Sequence, residues 1–106
     1  MTPTALVLRS LVLQIPAALE ETVIDVMLDN EVAARAGFVS RDVRFHGDAA
    51  IYNSVIEQIR GHTKVVEITV TLPEAAIREV LATLAAELPG RGLTWKIVPI
   101  VETGTI

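Results

Sequence analysis

Two segments of this chain share one physical pattern: Leu11-Val-Leu-Gln-Ile-Pro16 and Ile68-Thr-Val-Thr-Leu-Pro73. Each reads as an apolar strand that runs into a proline and then into an amphipathic helical stretch. A half-chain repeat of this kind constrains the architecture more tightly than local propensity, because both copies must agree on one β-α-β unit. The repeat extends beyond the prolines. Val23, Ile24 and Met27 correspond to Val80, Leu81 and Leu84 at the same offset of 57 residues, and Gly37-Phe38 matches Gly92-Leu93 at nearly that offset.

The chain has 106 residues, which suits one domain spanning 1–106 with a modest two-layer core. Apolar residues make up 51% and aromatics 4%, so that core must be aliphatic. The apolar share is high for a chain that leaves so much surface in water, and an apolar face covered by a partner subunit accommodates the excess. The net charge of −4 argues against nucleic-acid binding, which needs a clustered basic surface. Cysteine is absent, which excludes disulfides, thiolate metal sites and cysteine nucleophiles. The apolar run 5–15 lacks a preceding basic region, contains Arg9 and Ser10, and is too short to cross a bilayer. It reads as a strand, with no membrane insertion, in a cytoplasmic protein.

Pro16 is expected in the first turn of a helix, where its missing N–H costs nothing. Leu19, Val23 and Met27 recur at helical spacing opposite Glu20, Glu21, Asp25 and Asp29. This helix should fray over 30–36 and stop at Gly37, a left-handed cap. In 38–46, Val39, Val43 and Phe45 share one strand face, and Arg41 interrupts their apolar series. The stretch 47–60 is the least regular, with a short helix expected over 54–60 capped by Ser54. In 65–72, Val66, Ile68, Val70 and Leu72 face inward; Glu67, Thr69 and Thr71 face outward. Pro73 opens a second helix with inner residues Ile77, Val80, Leu81, Leu84 and Leu88, which Pro89-Gly-Arg-Gly92 ends before a last strand over 93–101.

With right-handed crossovers, β-α-β, loop, β-α-β predicts an α+β fold: a ferredoxin-like βαββαβ sandwich, with a four-stranded antiparallel sheet and two helices on one face. The other face would carry Leu8 and Val12 beside Ser10, Gln14, Glu67, Thr69 and Thr71, a mixture that reads as a subunit interface.

Ordered pieces of the chain resemble the PII signalling superfamily. Gly37-Phe-Val-Ser-Arg-Asp-Val-Arg-Phe-His-Gly47 is similar to the PII strand that enters the long T-loop through Gly-aromatic-Gly, with Phe45 in place of the first glycine. Val66-Glu-Ile-Thr-Val70 resembles the returning strand, and Lys96-Ile-Val-Pro-Ile-Val-Glu102 the last-strand segment, in which a PII lysine contacts phosphate. The departures are clear. The T-loop is shortened to 47–60, Tyr52 has no comparable context, and the nucleotide loop shrinks to Pro89-Gly-Arg-Gly92. Asp48 stands where the glutamine that binds 2-oxoglutarate would be. Glu57-Gln-Ile-Arg-Gly61 and the Glu102-to-Ile106 tail resemble a divergent bacterial branch associated with heavy-metal efflux systems. The resemblance implies a homotrimer with sites in inter-subunit clefts and a membrane transporter or efflux system as regulated partner.

Arg41, Arg44, Arg60, Arg91 and Lys96 are expected to gather toward the loop end of the sheet, beside Gly47, Gly90 and Gly92. Such a set would suit an anionic ligand, an adenine nucleotide or bicarbonate. The competing reading is ordinary pairing with surface acids. His46 and His62, with Glu57 and the nearby Asp42 and Asp48, would make a Zn(II) or Cu(II) site; the competing reading is two solvated loop histidines. Trp95 reads as packing, and Glu67 as a sheet-face carboxylate contacting a neighbouring subunit. Ser10, Ser40 and Ser54 have no histidine placed for a nucleophilic triad, and no enzyme activity is expected. The functional expectation is a PII-like regulator acting through 47–60. The alternatives are a divalent-metal trimer resembling the CutA tolerance proteins, and a dimeric ferredoxin-like enzyme.

Overall fold

Alternation of apolar and polar residues sets the sheet. In the computed structural model, residues 7–47 and 63–106 are described. The elements run in the order β1 (Leu8–Pro16), a 3-10 turn (Ala17–Leu19), α1 (Glu20–Asp29), α2 (Glu31–Ala36), β2 (Phe38–Phe45), β3 (Thr63–Pro73), α3 (Glu74–Glu87) and β4 (Thr94–Pro99). The four strands form one sheet in the order β2-β3-β1-β4, and every neighbouring pair is antiparallel. This is the ferredoxin-like α+β arrangement.

Leu11, Leu13 and Ile15 of β1 and Val66, Ile68, Val70 and Leu72 of β3 alternate onto the helix-covered face and are buried. Against them pack Leu19, Val23, Val26 and Met27 from the first crossover and Ala76, Ile77, Val80 and Leu84 from the second. The core is aliphatic, as the scarcity of aromatics requires.

The prolines sit one position earlier than expected. Pro16 and Pro73 are the last residues of their strands and cap the helical turns after them, at φ −55°, ψ 138° and φ −57°, ψ 146°. Proline prefers that φ, and at the last residue of a strand its missing N–H falls where the ladder is ending.

The stretch expected to fray over 30–36 is instead a second helix. Asn30, at φ −84° and ψ 114°, breaks the first helix and caps the next: its Oδ1 accepts from the Ala33 N–H at 3.0 Å. Its Nδ2 also donates to Glu79 on α3 at 3.4 Å. Gly37 then ends α2 at φ 74°, ψ 157°.

The repeat is more regular than its glycines indicate. Phe38 pairs with Val70 and Trp95 with Leu13, and these partners pair in turn with Leu11 and Ile68 in the two central strands. Phe38 is therefore equivalent to Trp95, not to Leu93, and the 57-residue offset holds through all four strands. Anchoring on Gly37 and Gly92 misaligned the last strand because the turn after α3 is longer.

Strand β2 has the shared face expected of it. Val39, Val43 and Phe45 lie together, and their register with Thr69, Val65 and Thr63 puts that face on the side without helices. On the helix side of β2 only Phe38 packs against the core. Ser40, Asp42 and Arg44 extend past it into solvent. The helix expected over 54–60, Tyr52 and residues 5 and 6 of the first strand lie outside the described residues.

Candidate functional site

The face without helices carries a polar row across three strands. Arg41 on β2, Glu67 on β3 and Gln14 on β1 lie side by side in register. Arg41 donates to Glu67 Oε1 from Nε at 3.0 Å and from Nη2 at 2.6 Å, and Gln14 Nε2 donates to Glu67 Oε2 at 3.0 Å. The Glu67 side chain is only 12% exposed while that of Arg41 is 72% exposed. The hydrogen bond from Gln14 and then that from Arg41 hold the Glu67 carboxyl below its ordinary range; Lys96 adds a weaker charge attraction. Around this row stand Val12, Val39, Val43, Val65, Phe45 and Val98, of which Val39 is 68% exposed.

A second feature lies on the other side of the sheet. The C-terminal half of α3, the turn after it and the start of β4 enclose a groove of about 350 Å³. Its walls are Leu81, Leu84, Leu88, Leu93 and the half-exposed Trp95, and among the described residues Arg91 is the only charged one lining it. The turn needs glycine at two points, Gly90 at φ 68° and Gly92 at φ 82°. A Cβ on Gly92 would meet Pro16 Cγ at 3.8 Å, so the turn rests on the proline of the first crossover.

The basic residues expected to converge are brought to one end of the sheet but divided between its two edges. Arg41 and Arg44 are on β2, with His46 and Gly47 just beyond it; Lys96 is on β4, preceded by Gly90, Arg91 and Gly92. Because β2 parallels β1 and β4 opposes it, the end of β2 and the start of β4 share an end of the molecule. Three strand spacings, about 14 Å, lie between the edges. One chain therefore does not assemble the set, and Arg41 is already engaged by Glu67. Arg60, His62 and Glu57 lie outside the described residues. Among the described residues no group of three or more His, Cys, Asp or Glu side chains is arranged to hold a metal ion, and no helix is long and apolar enough to cross a membrane.

Sequence reasoning placed Glu67 on the right face but missed its bond to Arg41, although an arginine inside an apolar series was the available signal. It assigned Trp95 to packing alone; its equivalence to Phe38 explains why it points to the helix side, and the groove explains its exposure.

A family model described as DUF3240, a protein of unknown function, matches residues 5–106. The chain belongs to the DUF3240 family. Its fold superposes on a DUF3240 family protein from Shewanella baltica OS155 with a TM-score of 0.74 at 18% identity, covering 94% of this chain and 97% of that one. It is also similar to CPII, a nitrogen regulatory PII-like protein from Thiomonas intermedia K12 solved with ADP, AMP and bicarbonate. There the TM-score is 0.68 at 15% identity, over 93% and 96% of the two chains. No curated protein matches the sequence significantly. At these identities the likeness establishes a divergent PII-like fold for this DUF3240 chain.

Proposed function

We propose that this protein is a non-enzymatic PII-like regulator. It assembles as a homotrimer, binds a small anionic effector in clefts between subunits, and signals through 47–60 to a transporter or enzyme. The observation that carries this reading is the division of the basic residues between opposite edges at one end of the sheet. A cleft between two copies would face the Arg44 and Gly47 edge of one against the Gly90, Arg91, Gly92 and Lys96 edge of the other, with Arg60 as a further cation from the loop.

Electrostatics favours such sharing. The turn at Gly90 comes after the C-terminus of α3, whose carbonyls carry partial negative charge and whose last turn holds no basic residue. Arg91 alone is a weak anion site there, and cations from a second subunit would offset the helix terminus. Arg41 would act indirectly, held in place by Glu67. The effectors favoured are an adenine nucleotide and a bicarbonate-like anion, the classes bound to CPII.

Calorimetry and thermal shift with ADP, AMP, ATP and bicarbonate, run beside light scattering, test the reading. Saturating effector should raise the melting temperature of an assembled species. Arg44→Ala and Arg91→Ala should each abolish most binding, and a mixture of the two variants should recover part of it, because some hybrid clefts keep both arginines. Absence of any effector-dependent stabilisation, or failure of the mixture to recover binding that each variant lost, would sink it.

A further inference from the structure

Beyond the half-buried Ile100, the segment after β4 leaves the body of the protein with two apolar side chains bare. Val101 is 102% exposed and Ile106 126%, so neither rests on its own chain. Two large aliphatic groups held wholly in water are unfavourable, and side chains so placed belong against another surface. The groove between α3 and β4 is the matching surface, lined by Leu81, Leu84, Leu88, Leu93 and Trp95.

Direction excludes the chain's own groove. Strand β4 begins beside the groove at Thr94 and runs away from it to Pro99, and the segment continues from that far end. Six strand residues cover about 20 Å, so the segment would have to reverse and spend its whole length returning. Charge then selects the occupant. Among the described residues Arg91 is the one charged residue lining the groove, and Glu102 is the one charged side chain in 100–106.

We infer that residues 101–106 of a second copy of this chain seat in the groove, with Val101 and Ile106 on the leucines and Trp95, and Glu102 paired with Arg91. The contact joins two different surfaces, so it is head-to-tail and closes into a ring only at a suitable rotation. It covers the apolar part of the groove and engages the Gly90–Gly92 turn through Arg91, so an anionic effector at that turn would have to displace Glu102. It requires no effector.

Trp95 is the only tryptophan, so its emission reports the contact directly. Full-length protein is diluted in nucleotide-free buffer while emission and mass by light scattering are monitored together. The expected result is blue-shifted emission in the assembled protein that moves to the red as the mass falls. Val101→Asp and Ile106→Asp should weaken association by about tenfold or more, as loss of a buried aliphatic contact does. They should show red-shifted emission where the wild type does not, with unchanged far-ultraviolet circular dichroism. Arg91→Glu and Glu102→Arg should each weaken association, and the double reversal should restore it. An Ile106→Asp protein with wild-type emission and mass, or a double reversal no tighter than either single change, overturns the inference. Arg91 enters both readings, so other outcomes separate them. Wild type that assembles with blue-shifted emission but shows no effector-dependent stabilisation sinks the proposed function alone. Ile106→Asp with wild-type emission and mass that still binds effector sinks this inference alone.

Discussion

Both Nε and Nη2 of Arg41 reach the same oxygen of Glu67, at 3.0 and 2.6 Å, and leave the other oxygen to Gln14. The carboxylate thus stays charged while largely shielded on a sheet face of mixed polar and apolar residues, and its donors lie in the two flanking strands. Removing one donor leaves the other; removing the carboxylate deprives part-buried Gln14 of its acceptor and returns Arg41 to water.

Glu67 should make stability fall in acid. Its pKa in the folded protein lies below the ordinary glutamate value of 4.5. The stabilisation is therefore complete above the unfolded-state value and lost as pH falls through the folded-state value. Urea unfolding should show wild type more stable than Glu67→Gln at pH 7, by about 1–2 kcal/mol. The gap should narrow below pH 4.5. A pH-independent gap would show that the charge is not what stabilises.

Asn30→Ala removes the acceptor for the Ala33 N–H and the bond to Glu79 together. A loss of about 1 kcal/mol is expected. Asn30→Asp should retain the cap but repel Glu79, and so should fall between the two in a chemical denaturation series.

Gly37→Ala separates backbone strain from crowding. A Cβ there meets nothing within 4 Å, yet φ 74° with ψ 157° is reserved for glycine. The substitution should cost about 1–3 kcal/mol in equilibrium unfolding. A neutral result would mean that the chain re-adjusts between α2 and β2 without strain.

Val23 and Val80 are equivalent positions in the two crossovers, each almost wholly buried. Val23→Ala and Val80→Ala should each lose about 2 kcal/mol by thermal or urea unfolding. A large inequality would show that the two crossovers, though alike in geometry, do not brace the sheet equally.

The crossovers and inner strands were legible because burial writes itself locally: Leu11, Leu13 and Ile15, like Val66, Ile68 and Val70, alternate at the period of a strand. The break at Asn30 was not, because an asparagine within a helical stretch signals a cap only when the turn around it is known. Arg41 and Glu67 are distant in sequence, and only register joins them. The direction of Val39, Val43 and Phe45 depended on where the helices end, which period-two patterning does not encode. The division of Arg44 from Arg91 is likewise a property of strand order, since each residue alone reads simply as a cation near a glycine.

The offset that relates Phe38 to Trp95 has a practical consequence for redesign. One short instruction, read twice, registers the middle of the sheet, so its margins carry little of the folding information. A library that randomised the exposed positions of β2 and β4 and the turn at Arg91, while keeping both strand-proline segments, should return many folded members. Such a scaffold would let recognition be rewritten at either rim with no renegotiation of the centre.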